Sequence, residues 1–134
     1  MNLNFSITGG TITQDDGTVI TSNAFAGNDS RPGVNPDHIP GRNNPTYCML
    51  HNIGPLPPGV YEFGEWHTHP HLGPHCAALI MINGTGDSYG RDGFFMHGLS
   101  SHDPLNSSEG CVCVDHNPRV LIESLRPLTL TVTA

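Results

Sequence analysis

The sequence predicts a fold of short strands joined by many turns, with few helices. Two compositional observations carry this. The 134 residues include 16 Gly and 12 Pro, while only 13% are charged, a balance that favours turns over long helices. No window of about a dozen residues holds an apolar stripe at the helical period. The third observation is the recurrence of short apolar runs between turn residues.

Residues 3–25 alternate loosely, with Phe5, Ile7, Ile12, Val19 and Ile20 as the apolar members. Gly9-Gly10 and Asp16-Gly17 are hairpin signals, so two or three strands are predicted there. Residues 26–46 are polar and rich in Gly, Asn and Pro, and read as a long loop. Cys48–Ile53 reads as a strand, followed by a rigid turn over Gly54–Gly59 and a strand over Val60–Phe63. His67–His75 reads as a loop studded with histidines. Ala77–Ile82 is a continuous apolar run of the kind found in a buried central strand. Phe94–His97 reads as a strand, 98–110 as a polar loop, and Cys111–Val114 as a strand with Val112 and Val114 on one face and both cysteines on the other. Residues 118–126 are predicted as a short helix, with Asn117 as N-cap and Pro118 in its first position. Leu128–Val132 alternates cleanly as a last strand. No repeat or domain boundary is visible, so 1–134 is expected to be one domain.

Charge removes several function classes. The net charge is −7 with five Lys+Arg, so the basic footprint of a nucleic-acid binder is missing. Attraction to an anionic membrane is disfavoured for the same reason. No apolar run approaches the roughly 18 residues of a membrane span, so no membrane insertion is expected. The segment Met1–Ile7 lacks the basic and apolar regions of a secretory signal, which predicts synthesis in the cytoplasm.

Four cysteines stand at 48, 76, 111 and 113. Their spacing is not that of a zinc knuckle or ribbon. A disulfide between Cys111 and Cys113 would be strained, and one between Cys48 and Cys76 is left open.

The stretch that carries chemistry is Tyr89-Gly90-Arg91-Asp92-Gly93-Phe94-Phe95-Met96-His97-Gly98, followed by Ser107-Ser108-Glu109-Gly110-Cys111-Val112. A thiol attacks a carbonyl as thiolate, so it needs a base or a positive neighbour. A histidine ending one strand and a cysteine opening the next can meet across a short loop. Gly110 permits a sharp turn and leaves room beside the sulfur. The backbone N–H of Cys111, with a neighbouring one, is placed to hold an oxyanion. Ser108 is expected to bond to the local backbone.

His-Gly, about a dozen residues and Ser-x-Gly-Cys resemble the signature of the L,D-transpeptidase (YkuD-like) catalytic domain. The closer resemblance is to type VI secretion L,D-transpeptidase effectors, short toxins acting on the peptidoglycan of rival bacteria. It rests on the Gly54–Tyr61 turn, Gly73-Pro74, Gly90-Arg91 before Phe94, His97-Gly98 and Ser108-x-Gly110-Cys111, in that order across residues 50–115. The resemblance implies an all-β sandwich or barrel with the site in a cleft and no cofactor. It implies Cys111 as nucleophile, His97 as general base, and Gly98, Ser108 and Gly110 as parts of the catalytic loop. The implied substrate is the peptidoglycan tetrapeptide stem, with loss of D-alanine by L,D-carboxypeptidase cleavage or D-amino acid exchange. It further implies action in the periplasm of a target cell, delivery by an injection machine, a carrier or lysis, and a cognate immunity protein as partner. The chain departs from the pattern in having Glu109 where His is usual, Cys113 where Asn is common, and Gly98 where Ser is common, which bears most on cross-linking. Arg91 fits either a fork for a stem carboxylate or a structural salt bridge, and Tyr89 and His69 are candidate cleft residues.

Nine histidines are present, with His67, His69, His71 and His75 clustered. Glu65-Trp66-His67-Thr68-His69-Pro70 resembles the His-x-His-Pro core of the JAMM zinc metallopeptidases, the rival enzyme reading. The Ser and Asp that complete that motif do not follow Pro70, so no metal ligand set is assigned. A non-catalytic peptidoglycan-binding module is the third reading.

Overall fold

A computed structural model of the chain describes residues 1–29, 39–99 and 108–134. Parts of the two expected loops, 30–38 and 100–107, lie outside the described residues, and with them Ser107.

The described chain is mostly β-sheet with one short α-helix. The strands are β1 (Asn2–Ser6), β2 (Thr11–Gln14), β3 (Val19–Thr21), β4 (Phe25–Ala26), β5 (Gly59–Phe63), β6 (His67–His69), β7 (Gly73–Met81), β8 (Phe94–His97), β9 (Val112–Cys113) and β10 (Thr129–Thr133), with helix α1 (His116–Leu125) before β10. They form one mixed sheet in the order β3-β2-β1-β10-β5-β7-β8-β9-β4, with β6 paired to β7 off this path. The two terminal strands meet in parallel, Leu3 opposite Leu130 and Phe5 opposite Val132. The other parallel pair is β8–β9, with Met96 opposite Val112 and His97 opposite Cys113.

Period-2 alternation explains the core. Leu3 and Phe5 of β1, Leu130 and Val132 of β10, Tyr61 of β5, Leu79 of β7, Phe94 and Met96 of β8, and Val112 of β9 all face one buried cluster. Ile122 of α1 closes it. Tyr61 is edge-on to Phe94, 6.2 Å between centroids, and its buried hydroxyl donates to Pro57 O at 2.6 Å, which satisfies the polar tip.

Several sequence readings are corrected. Cys48–Ile53 is not a strand. Asn44 caps a 3-10 turn over Pro45–Tyr47, and the chain stays coiled, with Leu50 N–H on Tyr47 O and Gly54 N–H on Leu50 O. Asn52 is left-handed there, at φ +65°, which ends any extended run. The His67–His75 segment is not all loop, because His67–His69 is β6 and β7 begins at Gly73. β7 is central, but Ile80 is 58% exposed, so the apolar run faces both the core and solvent. Strand β9 is shorter than Cys111–Val114, and Cys113 is buried like Val112 and Val114. Helix α1 starts at His116 with Asp115 in the N-cap position. Pro118 therefore sits third, which the first helical turn also tolerates because its N–H groups have no intrahelical partner.

Candidate active site

Cys111 is placed by the turn that enters β9. The Ser108 side chain builds that turn. Its Oγ donates to Cys111 O at 2.6 Å and accepts from Gly110 N–H at 3.0 Å and from Gly27 N–H at 2.9 Å. The Asn28 carboxamide adds a second tie, donating to Ser108 O at 2.7 Å and Asn52 O at 2.8 Å. Gly110 adopts φ +133°, and a Cβ there would lie 2.6 Å from Arg91 Nη2 and 2.8 Å from Phe94. No side chain fits that space.

Arg91 is the buried strut beneath the same turn. Its Nη1 donates to Cys48 O at 2.5 Å and Pro55 O at 2.8 Å, and its Nη2 donates to Gly54 O and Glu109 O at 3.1 Å. Its guanidinium also lies 5.2 Å from the Phe94 ring centroid. Both Nη atoms thus serve backbone carbonyls, and a substrate carboxylate would have to displace them.

Cys111 is partly buried and lines a cavity of about 330 Å³ whose walls also include His51, Asn52, Asp92, Phe94 and Glu109. The Phe95 backbone N–H donates to Sγ at 3.3 Å. Burial pushes the Cys111 thiol up from its ordinary value, the nearby Glu109 carboxylate adds to this, and the Phe95 N–H and Arg91 oppose it. A donor aimed at sulfur favours the thiolate.

His97 ends β8 on the same sheet face as Phe95. Its Nδ1 lies 2.6 Å from Gly98 O, which sets Nδ1 as the N–H and leaves the Nε2 lone pair available. Burial lowers the His97 pKa; the Gly98 contact opposes this, and Arg119 and His69 lower it further. The ring is therefore neutral at pH 7. Its nearest sulfur is not that of Cys111. Cys113 Sγ sits 3.8 Å from both ring nitrogens, as the register requires, and no hydrogen bond joins His97 to Cys111. The Cys113 thiol is fully buried and pushed up by desolvation, so it is a poor nucleophile.

His69 lies over this face. Its Nδ1 accepts from the backbone N–H groups of His71 and Leu72 at 3.1 and 3.2 Å, so its Nε2 carries the proton. Its ring meets Phe95 at 5.2 Å, and that of His67 meets Phe95 at 6.2 Å. Tyr89 stands apart, exposed and at φ +53°, lining a different cavity beside Pro58 and Thr85. All four cysteines are free, so Cys48 and Cys76 form no disulfide. Among the described residues no three His, Cys, Asp or Glu side chains converge as a metal site.

Sequence reasoning missed Arg119. This buried side chain on α1 donates through Nη1 to Val114 O at 2.7 Å and through Nε to His75 O at 3.1 Å. It packs so closely on Gly98 that a Cβ there would lie 2.6 Å from Nη1. Nothing in the sequence of the helix marks it, since Arg119 stands beside Val120, Leu121 and Ile122 like an ordinary surface cation. His51 and Asn52 were also missed, because their segment reads as a strand.

Comparison with known proteins decides the family. The family model of the Tlde1 domain matches residues 37–127, about two thirds of the chain. The chain belongs to the Tlde1 family. That is the family of type VI secretion L,D-transpeptidase effectors. Among solved structures, the chain is similar to an L,D-transpeptidase from Mycobacterium smegmatis, with a TM-score of 0.52 and 14% identity over 99% of this chain. It spans 58% of that protein's length. At this identity the likeness speaks for the fold. No curated protein sequence matches the chain. Membership of the Tlde1 family supports a peptidoglycan-modifying enzyme or effector in general.

Proposed function

We propose that this Tlde1-family chain releases or exchanges the terminal D-alanine of peptidoglycan tetrapeptide stems through an acyl-enzyme on Cys111. The observation that carries the reading is a cysteine that lines a cavity and whose sulfur receives a backbone N–H, directly behind a Ser-x-Gly turn. In this reading His97 Nε2 takes the thiol proton. The thiolate attacks the carbonyl of the third stem residue, and the imidazolium returns the proton to the leaving D-alanine amine. The Cys111 N–H with a neighbouring N–H holds the oxyanion. Water or a D-amino acid amine then resolves the thioester, giving carboxypeptidase or exchange products. Gly98 fixes the His97 tautomer through its carbonyl, and Ser108 and Gly110 hold the nucleophile loop. His97 and Cys111 must close on each other in the substrate complex, since catalytic hydrogen bonds tighten there.

Arg91 acts in this scheme by bracing the cavity wall, with His69 as a further group for the stem; Tyr89 lines a different cavity and has no part in it. The effector family supports the further reading that the chain acts as a toxin on a target cell's periplasmic wall, with a cognate immunity protein as partner. Among the described residues no helix is long and apolar enough to cross a membrane.

The test is D-alanine release from disaccharide-tetrapeptide. Cys111→Ala should release none while keeping its circular dichroism spectrum, and wild-type protein should gain the mass of a carbapenem at Cys111. Undiminished release by the variant would overturn the assignment. Zinc bound in stoichiometric amount would favour the metallopeptidase reading instead.

A further inference from the structure

We infer that a groove between β5, β6 and the end of α1 binds a pyranose ring of the glycan strand that carries the stem peptide. This groove is separate from the Cys111 cavity. It has a volume of about 640 Å³, within the range of small-ligand sites. It is lined by the apolar Phe63, Trp66, Pro127 and Leu128 and by the charged Glu65, Glu123 and Arg126.

The chemistry of the walls selects the ligand. Phe63 and Trp66 stack with 5.8 Å between centroids and 20° between planes, which presents a flat aromatic plate rather than a deep apolar hole. Aromatic faces carry negative quadrupole charge, and the axial C–H bonds of a pyranose present a complementary positive face. Leu128 is 71% exposed beside this plate, an unusual degree for a large apolar side chain. The charged lining residues supply both hydrogen-bonding signs. Glu65 accepts from sugar hydroxyls, as does Glu123 beside its contact with His75 Nδ1 at 3.1 Å, and the exposed Arg126 donates to hydroxyl or N-acetyl oxygens. A polyhydroxylated saccharide can bond to both signs, whereas an apolar helix or strand would leave Glu65 and Arg126 against apolar surface.

The groove is also linked to the nucleophile. Trp66 precedes His67, whose ring meets Phe95, and the Phe95 N–H bonds Cys111 Sγ. Three extended residues span about 10 Å, the reach from a third-residue carbonyl held at Cys111 to the sugar that carries the stem. The identity of the ligand rests on the peptidoglycan reading of the Cys111 site. The binding test does not.

Trp66 is the single tryptophan, so tryptophan emission excited selectively over the three tyrosines reports this groove. Titration with an N-acetylglucosamine tetrasaccharide should shift Trp66 emission saturably in wild type and equally in Cys111→Ala. Arg126→Ala and Leu128→Asp, both at exposed positions, should weaken this binding about tenfold. The same two variants should raise KM about tenfold for disaccharide-tetrapeptide and leave KM for the bare tetrapeptide and kcat unchanged. No emission change with the saccharide, or a change that both variants retain in full, would overturn the inference. So would a dimer dispersed by Leu128→Asp with no saccharide binding, which would make the groove a self-association face. If saccharide binds as expected but wild type releases no D-alanine, the groove stands and the Cys111 reading falls.

Discussion

Ser108 concentrates more structure than its size suggests. One hydroxyl joins Gly27, Gly110 and Cys111, all at or near buried backbone. Ser108→Ala leaves two N–H groups without their acceptor and should cost about 2–4 kcal/mol, read as a lower urea midpoint at unchanged slope. His97 gives the pH dependence. Its folded pKa is depressed below the unfolded value of 6.5 because burial disfavours the charged ring. Between the two values the unfolded chain binds more protons, so the sign is that stability falls as pH drops below 6.5. Denaturation at pH 7 and pH 5 should show a loss that shrinks in His97→Gln. A pH dependence identical in the two proteins would contradict a buried neutral ring.

At the scale of elements, α1 is held to the sheet by Ile122 and by Arg119. Arg119 reaches Val114 after β9 and His75 in β7, and fills the space that Gly98 leaves after β8. Arg119→Met keeps the stem and loses the guanidinium, leaving these carbonyls unpaired. A loss of about 2–4 kcal/mol is expected, with D-alanine release falling because the end of β8, where His97 sits, loses its support. Arg119→Lys should recover little, since one ammonium cannot span the same carbonyls. The elements themselves were largely legible. The strands of 2–21, 59–63, 94–97 and 129–133 follow from alternation and turn residues. The 3-10 turn at Pro45–Tyr47 and strand β6 were not, because the first sits at the end of a polar stretch that reads as loop and the second is made of histidines and threonine.

For the whole molecule, the parallel pairing of β1 with β10 puts both ends of the chain inside the sheet rather than at its edge. Removing residues 129–134 takes Leu130 and Val132 out of the core. Those two side chains alone contribute about 3–6 kcal/mol, against a usual margin of about 5–15 kcal/mol. It also unpairs β1 and β5 together. The truncated chain should lose its cooperative thermal transition. A truncation that melts as sharply as the full chain would contradict the central placement of β10.

What the sequence by itself determined was short-range: a mostly β fold from turn residues and period-2 runs, the small helix from Pro118 and its neighbours, and a Gly-Cys turn preceded by a histidine. The family resemblance followed from those same residues. Tertiary structure alone decided which groups meet. The β8–β9 register sets His97 against Cys113, Phe95 presents its N–H to Cys111, and four backbone carbonyls from distant segments occupy Arg91. The physical reason is that turn and strand preferences act between near neighbours in the chain. Register and burial are settled by contacts between residues dozens of positions apart, such as Ser108 with Gly27, and no local pattern encodes them.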